Sequence, residues 1–105
     1  MTKHQHITAI ITDKKGRVLS IGQNSYTKTH PMMSEYGLPF NEPHKTFLHA
    51  EVHAIVRCKN LDKAYKISVF RYNQYGKPLL AKPCKICQSA IDATGIKVVE
   101  YTITE

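Results

Sequence analysis

The chain has 105 residues, of which 42% are hydrophobic and 22% are charged, proportions typical of one small globular domain. No apolar run is long enough to span a membrane, and the first residues lack the apolar stretch of a signal peptide. The net charge of +7 comes from fifteen scattered Lys and Arg residues, without the dense basic block of a nucleic-acid tail. We therefore predict a single compact domain over residues 1–105, in a soluble, cytoplasmic protein.

The first half of the chain predicts a hairpin, a long loop and a helix. Residues 5–12 are rich in Ile and Thr and predict a strand, and residues 17–21 predict the strand that returns after a turn. Residues 22–43 lack a periodic pattern, and loops of this length are commonly functional. Apolar residues at helical spacing then predict a helix over about residues 45–60, with Thr46 as its N-cap.

The second half predicts a strand–helix–strand unit. Residues 65–72 alternate as a strand does, and a second loop follows around Gly76. Pro83 suits the first turn of a helix, which Gly95 would end. Residues 96–104 predict a closing strand that a crossover would make parallel to the strand before the helix. The predicted order is β-β-α-β-α-β, an α/β domain with a mixed sheet.

Two short motifs carry the chemistry of the chain, His49-Ala50-Glu51 and Pro83-Cys84-Lys85-Ile86-Cys87. The two cysteines lie three residues apart at the predicted start of a helix, where exposed amides favour the thiolates that bind zinc. A lone Cys-x-x-Cys is only moderately informative, because it also occurs in redox motifs and structural zinc knuckles, and His49 alone is weaker still. Together, His49, Cys84 and Cys87 supply three zinc ligands, and catalytic zinc sites keep three protein ligands and one open position.

This pairing of motifs resembles the cytidine/deoxycytidylate deaminase superfamily of zinc-dependent nucleobase deaminases. The resemblance implies one Zn²⁺ per chain, held by His49, Cys84 and Cys87, and a catalytic Glu51 that shuttles protons. It also implies a four-stranded sheet of order 2-1-3-4 with both helices on one face. Two residues along a helix correspond to about 200°, so Glu51 would not simply lie beside His49.

By the same resemblance, Asn24 would contact the sugar or base, and the backbone of Ala50 and Pro83 would face the base edge. An ordinary turn role remains the alternative for Asn24. Several side chains in the loop before the helix could stack on a base or hold a phosphate, or could simply pack within the loop. These are His30, Tyr36, Phe40, His44 and Lys45.

Three functions follow from these residues. The first is a hydrolase that deaminates cytidine, deoxycytidine or their monophosphates to the uracil product in nucleotide metabolism. The second is a deaminase acting on cytosine or adenine in single-stranded DNA or RNA. The third is a non-catalytic zinc module, which would need a fourth ligand such as His53 or His44. For His53 we otherwise expect a packing role or a contact with a ligand residue.

The chain also departs from the family. It inserts residues 73–80 before the second motif and has Ala81-Lys82 where related enzymes often carry Glu or Ser before the proline. Its first predicted strand begins almost at residue 1, and its last ends near residue 105. We expect a thinly covered sheet face and an open edge at the fourth strand, and therefore a homo-oligomer.

Overall fold

A computed structural model of the protein describes residues 6–24 and 49–103. The elements in chain order are β1 (His6–Thr12), β2 (Val18–Gln23), α1 (Ala50–Arg57), a 3-10 turn (Leu61–Lys63), β3 (Lys66–Tyr72), α2 (Lys85–Thr94) and β4 (Val98–Tyr101). The four strands form one sheet in the order β2-β1-β3-β4. Strand β1 is antiparallel to β2 and β3, whereas β3 and β4 are parallel. The predicted α/β fold, mixed sheet and strand order are confirmed.

One hydrophobic core lies between the two helices and one face of the sheet. Ile11 pairs with Ile67, and Ala9 pairs with Val69. Because successive strand residues point to opposite faces, residues two apart share a face, and all four of these side chains are buried on the core side. Both helices contribute apolar side chains to this one cluster, which places them on the same sheet face. The fully buried helix residues include Val52, Ala54, Ile86 and Ile91. Neither described helix is long and apolar enough to cross a bilayer.

Asp13 holds the turn between β1 and β2. Its Oδ1 atom accepts hydrogen bonds from the backbone N–H groups of Lys15 and Arg17, each at 2.9 Å. The Nε atom of Arg17 donates to Oδ2 at 2.8 Å. The bond from the Arg17 backbone is the main cause that lowers the pKa of this carboxyl, and burial opposes it. A charged Asp13 therefore stabilises the turn.

Both helices begin later than the sequence predicts. Helix α1 covers Ala50–Arg57 rather than 45–60, and its N-cap is His49, so the assignment of Thr46 was wrong; Thr46 itself lies outside the described residues. Helix α2 begins at Lys85, with Cys84 as the N-cap, so Pro83 precedes the helix instead of lying in its first turn. Gly95 ends α2 as predicted, with a left-handed φ of 81°.

The strand boundaries also differ from the predicted ones. Strand β2 spans Val18–Gln23, two residues beyond the predicted end, and includes Gly22, which the sequence placed in the loop. Strand β4 is only Val98–Tyr101, much shorter than the predicted 96–104. The reason is that residue 102 keeps its N–H bond to Val69 of β3, but its carbonyl accepts from Ala81 and its hydroxyl donates to Leu79, so the regular ladder ends there.

The inserted residues after β3 form a tight turn and a return limb. The Oδ1 atom of Asn73 accepts hydrogen bonds from the backbone N–H groups of Tyr75 (2.8 Å) and Lys77 (3.0 Å). Gly76 supplies the positive φ of 79° that closes the turn. The chain then folds back, and Pro78 forms an isolated bridge with Tyr72 at the end of β3. This segment leads directly into the second motif.

Candidate active site

The three predicted ligand residues come together in the fold. The Nδ1 atom of His49 lies 3.2 Å from the Sγ atom of Cys87 and 3.6 Å from the Sγ atom of Cys84. The potential ligand atoms of the three residues all lie within 4.8 Å of one another. Zinc bonds of about 2.0 Å to nitrogen and about 2.3 Å to sulfur, in a tetrahedron, separate such atoms by ~3.5–3.8 Å. The three residues therefore fit one zinc ion.

The N-termini of both helices meet at this cluster. His49 is the N-cap of α1 and Cys84 is the N-cap of α2, and neither side chain caps its own helix by a hydrogen bond. Cys87 lies in the first turn of α2, so both sulfurs project from one helix end. His49 has an extended backbone (φ −84°, ψ 156°) and lies before the first helical residue. The rotation of about 200° that separates residues two apart in a helix therefore does not describe His49 and Glu51. Glu51 can therefore lie near the ligands.

The two thiols differ in exposure and in acidity. Cys84 is exposed and Cys87 is buried. A hydrogen bond from the Cys87 thiol is the main cause that lowers the pKa of Cys84 to about 4, with a further contribution from His49. The same hydrogen bond, together with burial, raises the pKa of Cys87. Before a metal binds, the pair thus holds one thiolate and one thiol, and the thiolate is on the solvent side.

Glu51 is a buried carboxyl group beside the cluster, with only 6% of its surface exposed. Burial is the main cause that raises its pKa, while the imidazole of His49 and the thiol of Cys87 favour the charged form. An elevated carboxyl pKa allows a side chain both to take and to return a proton near neutral pH. Glu51 is separate from the three-residue ligand group, as a proton shuttle must be.

Two of the residues predicted to contact substrate, Ala50 and Pro83, are sequence neighbours of the ligand residues. Ala50 is the buried first residue of α1, and Pro83 is buried directly before Cys84. Asn24 directly follows β2, where its Oδ1 atom accepts a hydrogen bond from the Ile7 backbone N–H at 3.0 Å. Its own backbone N–H donates to the Ile7 carbonyl at 3.2 Å. These two bonds join Asn24 to the neighbouring strand β1, and both the turn role and the substrate contact stay predictions.

His53 lies outside the ligand cluster. The backbone N–H of Gln23 donates to its Nδ1 atom at 3.0 Å, so the ring joins α1 to the end of β2. The expected packing role agrees with this contact. Among the described residues, the metal-binding group has only the three predicted members, so no fourth ligand closes it there. The loop residues His30, Tyr36, Phe40, His44 and Lys45 lie outside the described part of the chain.

Gly22 is a residue whose importance the sequence analysis missed. It lies on β2 directly beneath α1, and an added Cβ atom would lie 2.8 Å from the Cα atom of Ala54. The same Cβ atom would lie still closer to the backbone N of Ala54 and the carbonyl oxygen of Ala50. A glycine inside a strand can mark such a close backbone approach, but the sequence placed Gly22 in the loop after the strand, so this signal was missed. Gly22 lets α1 sit against the sheet.

Comparison with known protein families agrees with this geometry. The chain matches the cytidine and deoxycytidylate deaminase zinc-binding region over residues 1–103, and it belongs to that family. None of the curated proteins matches the chain. Family and geometry together define a deaminase domain of the zinc-dependent class, with His49, Cys84 and Cys87 able to hold one metal ion.

Proposed function

We propose that this protein is a hydrolase that deaminates a cytosine nucleoside or nucleotide, cytidine or deoxycytidine or their monophosphates, to the uracil product with release of ammonia. The observation that carries the proposal is the buried carboxyl of Glu51 beside a three-residue metal cluster. A structural zinc site needs four ligands and no spare carboxylate, whereas a hydrolytic one needs an open position and a proton carrier. Membership of the deaminase family supports the same reaction.

In this proposal His49, Cys84 and Cys87 hold the zinc, and Glu51 moves the protons. Zinc in such a site supplies a water molecule of lowered pKa as the nucleophile. Glu51 takes a proton from that water and delivers it to the ring nitrogen of cytosine. The oxygen of that water would add to C4, and Glu51 would then carry the proton that remains on this oxygen to the amino group, so that the C4–N bond breaks, ammonia leaves and C4 keeps the oxygen as a carbonyl. The raised pKa of Glu51 suits both directions of transfer.

The proposal is tested with one substrate panel. The purified zinc-loaded protein is incubated with cytidine, deoxycytidine, their monophosphates, adenosine and a short single strand. Ammonia release and a mass increase of about 1 Da identify the deaminated compound. If none of the cytosine nucleosides or nucleotides is converted, the proposed substrate class is wrong.

Variants of Glu51 separate its proposed role from metal binding. Glu51→Ala should keep one zinc per chain while activity falls by about 10²–10⁴-fold or more, since only proton transfer is lost. Glu100→Ala is the matched control, because Glu100 is an exposed carboxylate on β4 that pairs with Lys66 at 3.5 Å. It should keep both zinc and activity. Loss of zinc in Glu51→Ala would instead make Glu51 a ligand.

The single-strand deaminase stays as a second proposal because of the charges around the cluster. Lys82 and Lys85 are exposed and bracket Pro83 and the exposed Cys84, in a chain of net charge +7. Lysines at the edge of the site could attract backbone phosphates, and such binding would weaken steeply with salt. Undetectable binding of a short oligonucleotide at low salt would exclude this version and leave the compact substrate.

A further inference from the structure

The segment that delivers Cys84 to the site, which we call the arm (residues 79–84), is fixed by hydrogen bonds to two residues. The backbone N–H of Leu79 donates to the Arg71 carbonyl at 2.8 Å. The Nη1 atom of Arg71 donates to the Leu80 carbonyl at 3.2 Å. The backbone N–H of Ala81 donates to the Thr102 carbonyl at 3.0 Å. The arm has no helix or strand of its own, so these contacts determine its path.

The hydroxyl of Thr102 lies at the centre of this arrangement. It donates to the Leu79 carbonyl at 2.6 Å and accepts from the backbone N–H of Arg71 at 3.1 Å. The backbone N–H of Thr102 also donates to the Val69 carbonyl at 3.0 Å, which attaches the residue to β3. One side chain therefore connects the end of β3 to the first residue of the arm.

Only two residues, Lys82 and Pro83, separate Ala81 from Cys84. Lys82 is exposed, and Pro83 has no N–H group to donate. Cys84 follows immediately, with its Sγ atom 3.6 Å from the Nδ1 atom of His49. A displacement of the arm at Leu79–Ala81 would be passed through Lys82 and Pro83 to Cys84. The Cys84 carbonyl also accepts a hydrogen bond from the backbone N–H of Gln88 in α2 at 2.8 Å, whereas His49 is held separately on α1.

We infer that Thr102 is a positioning residue for the metal site, which acts through the arm to hold Cys84 at ligand distance from His49 and Cys87. The inference rests on the proposed function, because it assumes that the three residues bind zinc. Thr102 itself touches neither metal nor substrate. It is also distant in sequence from both motifs, which explains why the pattern of the sequence does not reveal it.

The test is Thr102→Val, which keeps the shape of the side chain and removes the hydroxyl. The substitution removes the hydrogen bonds from the Thr102 hydroxyl to the Leu79 carbonyl and from the Arg71 N–H to that hydroxyl. The loss of such a bond weakens a binding equilibrium that depends on it by about tenfold. We expect zinc affinity, measured by competition with a chromophoric chelator, to fall by about tenfold. The visible absorption of the cobalt-substituted protein should also change, because it reports the geometry of the sulfur ligands.

Thr94→Val is the matched control within the same chain. The Thr94 hydroxyl is also half-buried, donates to a carbonyl (Ile91, 2.6 Å) and accepts from a backbone N–H (Ile96, 3.2 Å). It lies at the C-terminal end of α2, whereas the cluster lies at the N-terminal end. Thr94→Val should lower thermal stability to a similar extent but keep the zinc affinity and the cobalt spectrum. Thr102→Ser keeps a hydroxyl at this position and should have the zinc affinity and the cobalt spectrum of the original chain.

The outcomes separate this inference from the proposed function. If Thr102→Val binds zinc as the original chain does, or if Thr94→Val weakens zinc equally, the positioning role is wrong while the proposed function stands. If the original chain binds no zinc, both proposals fail. Should Thr102→Val not fold, Arg71→Gln decides in its place, because it removes the guanidinium bond to Leu80; unchanged zinc affinity in that variant would overturn the inference.

Discussion

The close packing of α1 on β2 makes Gly22→Ala a sharp test of how the fold supports the site. The new methyl group would lie 2.8 Å from the Cα atom of Ala54, and nearer still to two other backbone atoms of the helix. Carbon atoms pack at about 3.5–4.0 Å, so α1 must retreat by ~1 Å to admit the methyl group. Backbone atoms cannot rotate away as side chains can, and His49 moves with the helix that it caps.

We expect this substitution to cost about 3 kcal/mol of unfolding free energy, the upper part of the usual range for overpacking, because three backbone atoms are affected. For a domain of this size the loss corresponds to a fall in melting temperature of about 10–20 °C. A shift of ~1 Å at His49 should also weaken zinc binding by at least about tenfold, since the tetrahedral distances would no longer be met.

The assays are thermal unfolding of the zinc-free protein and zinc competition, with Gly76→Ala as the control. A Cβ atom at Gly76 meets nothing within 4 Å, so only its positive φ of 79° is penalised. That strain costs about 1 kcal/mol and should leave zinc affinity unchanged. If Gly22→Ala unfolds at the same temperature as the original chain, or binds zinc as tightly, the close approach of α1 and β2 is not what holds the site.

Three further predictions concern acidity and assembly. In the zinc-free protein, the rate at which iodoacetamide alkylates Cys84 should stay nearly constant from about pH 8 to 5 and fall near the Cys84 pKa of about 4. Cys84→Ser serves as the blank. A tenfold fall in rate per pH unit below pH 8 would indicate an ordinary thiol. Asp13→Asn should lower the melting temperature at neutral pH. Because the folded-state pKa of Asp13 lies below its ordinary value of 3.8, the original chain should melt at a higher temperature than the variant at every pH above 3.8. This difference should vanish as the pH falls through the lowered pKa. A difference that grew on acidification would contradict the role of the charge. We also predict a homo-oligomer, because Ile21 and Tyr72, on the sheet face opposite the two described helices, are 45% and 43% exposed; a monodisperse monomer in light scattering at micromolar concentration would refute this.

The sequence predicts the strand order and the three residues of the cluster well. Ile67 and Val69, two apart in β3, are both buried on the core side, and the three residues that the structure groups occur in two recognisable motifs. Helix starts were less predictable. Thr46 and Pro83 match the local preferences for the first residues of a helix, yet the helices begin at Ala50 and Lys85. Tertiary contacts around the cluster override those preferences.

Other features depend on contacts between residues far apart in the chain, which no local pattern encodes. The arm (residues 79–84) has the composition of a loop, and only its bonds to Arg71 and Thr102 show how it is held. Gly22 was predicted to lie in a loop, and its role depends on a helix about thirty residues later in the chain. Such distant pairings determine how the predicted ligands reach one another.

The candidate site is also where the chain departs from rules that favour stability. An N-cap is usually Ser, Thr, Asp or Asn, and replacing such a residue typically costs about 1 kcal/mol, yet both helices here begin with a ligand residue that forms no side-chain cap bond. Glu51 is a buried carboxyl whose pKa burial raises, an arrangement that disfavours the charged form. Departures from preferred capping residues and buried ionisable groups tend to occur at functional sites. Here the two unusual N-caps and the buried Glu51 lie at the same place in the fold. That coincidence argues for a site with a chemical role, since a purely structural cluster would gain nothing from the buried carboxyl.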